Sequence, residues 1–134
     1  MRIPAVCAFL GAGVAIERVL PCIENGLLDL EERVVVSTAD CLTILLELGI
    51  LSTTAHVLIP LVKRCAPLVL HPCASIRIAI YTFFETAIKL LGPVDTAVFI
   101  LPLFRHVQQY VLPGLVTDFA YIRRLVVLQL IFLI

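Results

Sequence analysis

The chain has 134 residues, 61% of them hydrophobic, a mean hydropathy of +1.10, and ten basic against ten acidic side chains. That length supports one domain with a core, and the zero net charge removes the broad electrostatic basis for binding nucleic acid. The hydropathy raises a small membrane-associated helical protein as an alternative. However, Ile3–Ile16, Leu48–Val62 and Leu125–Ile134 all fall short of the roughly 18–20 apolar residues that span a bilayer.

Seven helical segments are predicted. The first, Ile3–Ala12, reads as the tail of a repeat's second helix. Arg2 and the apolar run after it also outline a secretory signal, but Gly11-Ala12-Gly13 leads straight into a further repeat element rather than a new mature domain. Glu17–Leu27 follows as a first helix containing Leu20-Pro21, with Leu30–Leu48 as its partner. Gly26 weakens the helix before the turn, Asp29 suits an N-cap with Glu32 placed as in a capping box, and Gly49 suits a C-terminal stop. Thr53–Leu70 carries Ile59-Pro60 and Ala66-Pro67, and Cys73–Leu91 follows the turn His71-Pro72. Gly92-Pro93 ends that helix, because proline cannot continue the hydrogen-bond ladder. Asp95 then caps Asp95–Tyr110, which contains Leu101-Pro102. Pro113-Gly114 marks a break, and a closing segment from about Thr117, with Asp118, repeats Ile76-Arg77 as Ile122-Arg123.

Leu28–Gly49 and Leu70–Leu91 read as one amphipathic helix written twice, 42 residues apart. Arg33, Asp40, Thr43 and Glu47 fall on Ser75, Thr82, Glu85 and Lys89, a single polar stripe at helical spacing. Val34, Val36, Cys41, Leu42, Leu45 and Leu48 fall on Ile76, Ile78, Phe83, Phe84, Ala87 and Leu90, a wide apolar face that one helix cannot bury alone. A period of about 40–47 residues with two helices per unit predicts an all-α HEAT/armadillo-type solenoid of about three units. Residues 1–134 form one such segment: 3–15 the tail of a truncated repeat, then 17–49, 53–91, and 95–134 with a divergent end. Internal prolines on alternate helices, at Pro21, Pro67 and Pro102, favour a curved stack over a plain bundle. Uncapped repeats expose apolar faces, so the isolated segment is expected to aggregate or oligomerise.

The run Leu20-Pro21-Cys22-Ile23-Glu24-Asn25-Gly26-Leu27-Leu28-Asp29, then Glu31-Glu32-Arg33-Val34-Val35, is similar to a HEAT unit of one family. Leu48-Gly49-Ile50-Leu51, Ala66-Pro67, Leu70-His71-Pro72, Ile76-Arg77 and Asp95-Thr96-Ala97-Val98 before Leu101-Pro102 continue the likeness in order. Over about residues 3–110 the chain resembles the HEAT-repeat region of the regulatory subunit 4 family of the class III phosphatidylinositol 3-kinase complex, the protein-kinase-like, vacuolar-protein-sorting subunits. From Leu112 the likeness fades. The resemblance implies a non-catalytic scaffold in autophagy and endosomal sorting, cytoplasmic and peripheral on endosomal or autophagosomal membranes. Its implied partners are the class III lipid kinase catalytic subunit and a Beclin-type subunit. The family's kinase-like domain and WD-repeat propeller have no counterpart in these residues, so no phosphotransfer residue is carried over. A generic HEAT-repeat adaptor is the other reading.

No catalytic, cofactor-binding or metal-ligating residue is expected, and no cofactor. Cys7, Cys22, Cys41, Cys65 and Cys73 are odd in number, lack a C-x-x-C, and read as reduced, mostly buried thiols. His71, Cys73 and Cys65 lack the further ligands or base that a metal site or thiol nucleophile needs, so they read as turn and core residues. His56 and His106 read as packed within helices. Asp29, Glu31 and Glu32 fit helix capping better than a cation site. Lys63-Arg64 and Arg123-Arg124, with Arg105, read as solvated basic edges. Arg77, at the start of a second helix, is expected to bond within the protein.

Overall fold

A computed structural model describes residues 2–51 and 55–103, and among these the chain forms six helices and no strand. Helix α1, Ile3–Leu10, carries Pro4 in its first turn, where a missing N–H costs nothing. It stops at Gly11, with φ 90 and ψ 159, a backbone region open almost only to glycine. Helix α2 then runs as Ala12–Val14, a π turn Ala15–Val19 and Leu20–Asn25, and tightens into a 3-10 turn, Gly26–Leu28. It begins before the predicted Glu17, because Gly11 resets the chain and its carbonyl accepts the Ala15 N–H at 3.0 Å.

Helix α3 is Glu32–Glu47, and α4, Ala55–Cys65, ends in a 3-10 turn, Ala66–Leu70. Helix α5 is Ala74–Leu91. Helix α6 comprises Pro93–Asp95, a π turn Thr96–Ile100, and residues on to 103. The stretch from Gly92 to Pro102 follows the same backbone course as Gly11 to Pro21, 81 residues earlier: a positive-φ glycine, a helical start, a π turn, then Leu-Pro. A π turn shifts the hydrogen-bond ladder by one residue, so the gap left by the proline N–H falls where the α register is already broken. Pro67 departs from expectation. It opens the 3-10 turn after α4, whereas the proline inside that helix is Pro60.

Gly49, at φ 72, closes α3 in a Schellman motif: its N–H donates to Leu46 O at 3.1 Å, and Ile50 N–H donates to Leu45 O at 3.1 Å. The duplicated helices α3 and α5 pack against each other, and α1 lies on α3 as well. Phe83, Phe84, Leu42, Leu45, Leu58, Leu61, Ile76 and Ile80 form the centre of the core. Three predicted core pairs, Cys41/Phe83, Leu42/Phe84 and Leu45/Ala87, are buried in both copies. Leu48 and Leu90, however, are 58% and 45% exposed, and Val34 and Ile78 are also exposed, because helices pack on one side only and the apolar stripe is wider than that contact. Thr43 leaves the polar stripe for the core, its hydroxyl donating to Ala39 O at 3.0 Å so that no polar group is stranded. Thr53, Arg105, His106, the residues from Leu112 onward and the His56 side chain lie outside the described part.

Candidate functional site

The turns between paired helices are built alike. Asp29 Oδ1 accepts the Glu31 N–H at 2.8 Å, and 42 residues later His71 Nδ1 accepts the Cys73 N–H at 3.0 Å. Each side chain thus bonds the backbone two residues on, which folds the chain back without a longer loop. Asp29 is therefore a turn residue rather than the N-cap: α3 starts behind Glu31, which makes no side-chain cap. With Asp29 committed to the turn, Asp29, Glu31 and Glu32 stand exposed along the helix entry. Arg77 Nη1 donates to His71 O at 2.9 Å and Pro72 O at 2.8 Å, locking the second turn to its own helix.

All five thiols are free. Burial pushes Cys65 up to about 12, with the Glu24 carboxylate adding to it, and pushes Cys41 up to about 11, with neighbouring Cys7 adding to that. Cys7 is raised by burial too. A neutral, buried thiol is a poor nucleophile. At neutral pH a disulfide reagent such as DTNB is expected to modify exposed Cys22 at once, Cys73 more slowly, and Cys7, Cys41 and Cys65 only on unfolding; prompt reaction of all five would contradict this burial pattern. The raised folded values also set a pH dependence. The contribution is complete below the ordinary value of 9.0 and is lost as pH rises through about 11 and 12, so circular dichroism should record falling stability across that alkaline window.

Among the described residues, no group of three or more His, Cys, Asp or Glu side chains is placed to hold a metal. Arg64 departs from its reading as a solvated edge. Its guanidinium meets Glu24 at 2.8 Å, tying α4 to α2, and the Glu24 side chain is only 15% exposed. The sequence shows no local sign of this pair, because the whole of α3 lies between its members. Among the described residues, a groove of about 440 Å³ lies between α1, α2 and α3, bordered by Cys22, Gly26, Arg33, Val34, Thr38 and Cys41. Gly26, Thr38 and Cys41 stand 42 residues before Leu68, Ile80 and Phe83, a difference in size between the copies that marks this place in the sequence.

A family model described as PIK3R4-like, middle domain, matches residues 1–125. The chain is also 31% identical over 101 residues to the probable serine/threonine-protein kinase vps15 of Dictyostelium discoideum, a match covering 75% of this chain and 5% of that relative. No solved structure matches it. The matched region is a middle domain rather than a kinase domain, and it takes in both duplicated helices, both side-chain-bonded turns and the groove. By this match over nearly its whole length, the chain belongs to the PIK3R4-like middle-domain family.

Proposed function

We propose that the chain is a non-catalytic scaffold segment, a stretch of HEAT-type α-solenoid that supports assembly of a class III phosphatidylinositol 3-kinase complex in autophagy and endosomal sorting. The family match across residues 1–125 carries this reading. The repeated turns at Asp29 and His71, and the packing of α3 on both α1 and α5, support units at 17–49, 53–91 and 95–134 after a partial unit at 3–15. Stacked units of this kind bury a continuous core and leave their faces for partners.

The partners are the lipid kinase catalytic subunit and a Beclin-type subunit, and membrane contact is peripheral, through the complex. Among the described residues no helix is long and apolar enough to cross a membrane. The tagged chain is expected to co-precipitate those subunits well above an unrelated helical-repeat control. Enrichment no greater than the control would remove the reading. Alkaline carbonate extraction should release the chain from membranes, whereas retention in the pellet would favour an embedded protein.

A further inference from the structure

Ala5, Val6 and every residue from Ala8 to Val14 are exposed, and no side chain between Ile3 and Ile16 carries a charge. Helix α1 and the start of α2 thus form one bare apolar corner, with Phe9, 90% exposed, projecting from it. A contiguous apolar surface of this kind marks an interaction site, whereas single exposed leucines do not.

The recurrence 81 residues later shows the same helix end in a covered state. Gly11 corresponds to Gly92, so α1 corresponds to the last two turns of α5, and Ile3 and Val6 stand at the places of Phe84 and Ala87. Ala87 has no exposed surface and Phe84 almost none, while Val6 is 50% exposed and Ile3 half-buried. Positions that α5 buries are therefore open on α1.

Charge decides which surface of this molecule fits there. Helices α2 to α6 each carry an exposed charge, at Glu17, Glu32, Lys63, Lys89 and Asp95, and seating one of these helices on the corner would bring an ion toward a surface with no counter-ion to meet it. Among the described residues, the corner is the helical surface that offers no charge. Two corners brought together bury no ion, since Arg2, Glu17 and Arg18 lie beyond its two ends in the sequence. They also leave room for each other: a Cβ at Gly11 or Gly13 would meet nothing within 4 Å, which gives an incoming aromatic ring open backbone to lie against.

We infer that a second copy of this chain covers the corner in an isologous, two-fold contact of α1 on α1, with Phe9 of each copy seated at Gly11 and Gly13 of the other. This narrows the self-association expected of uncapped repeats to one surface. The corner supplies fewer than half of the roughly 20–30 residues a side of a standard interface, so the dimer is weak and depends on concentration. Nothing in the contact requires the scaffold reading, which co-precipitation of the lipid kinase subunits tests separately.

Sedimentation equilibrium of the full chain from about 10 μM to 1 mM is expected to show a monomer–dimer equilibrium that stops at twice the chain mass. Phe9→Glu should raise the dissociation constant at least tenfold and leave the circular dichroism unchanged, because so exposed a ring touches little of its own chain. Val6→Glu, on the same helix, should act likewise. Leu30→Glu, at a fully exposed leucine in the turn before α3, is the control for surface hydrophobicity in general and should leave the dimer as it is. A monomer throughout that range, assemblies growing beyond the dimer, or equal effects of Phe9→Glu and Leu30→Glu would overturn the proposal. So would a monomer that binds neutral phosphatidylcholine vesicles and loses that binding with Phe9→Glu, which would give the corner to a lipid surface.

Discussion

Phe83→Ala is expected to lower the free energy of unfolding by about 3–5 kcal/mol, the cost of deleting a large buried side chain and leaving a cavity. Phe83 has no exposed surface and stands edge-to-face with Phe84, the ring centroids 5.8 Å apart at 67°. It sits on α5, which packs against α3, and belongs to the common buried core. Domains of this size have only about 5–15 kcal/mol in total, and the variant should therefore unfold at much lower urea concentration. Urea titration followed by circular dichroism measures this, with exposed Thr82→Ala as a reference expected within about 0.5 kcal/mol of the parent. A loss below about 1 kcal/mol for Phe83→Ala would mean that this ring is not packed in the core.

Gly26→Ala is expected to cost about 1–3 kcal/mol, although alanine is ordinarily the better helix former. The backbone is not the reason, since φ at Gly26 is −64 and suits any residue. A Cβ there would collide with the Thr38 hydroxyl and come within 3.3 Å of Thr38 Cβ and Cγ2. Glycine lets the 3-10 turn approach α3 closely, and that approach sets the floor of the groove. Thr38→Ala in the same chain removes the clashing atoms, so the double variant should recover at least half of the loss, a coupling between contacting residues that a double-mutant cycle reads directly. Additive effects of the two substitutions would show that the 3-10 turn and α3 are not in this close contact.

Much of the helical organisation was legible locally. Leu48-Gly49 and Leu91-Gly92 each end a helix at a positive-φ glycine as expected, a stop that backbone sterics impose, whereas Gly11 makes the same stop after Leu10 inside the predicted helix Ile3–Ala12. The turn at His71-Pro72 was legible as well, although the agent, Nδ1 accepting the Cys73 N–H, was not. The predicted N-cap at Asp29 and the internal proline at Pro67 went astray for a shared reason. Their residue types fit several local roles, and the choice among them is made by which neighbouring N–H the folded chain leaves free.

The sequence by itself determined the helices, the 42-residue echo between Leu28 and Leu70, the breaks at glycine and proline, and the family, because these depend on propensity, periodicity and order along the chain. Tertiary structure alone decided that Thr43 is buried while Leu48 is bare, that Arg64 reaches Glu24, and that Gly26 lies close against Thr38. Burial and pairing are properties of two surfaces brought together, and a periodic pattern on one helix says which face is apolar without saying how much of it another helix will cover.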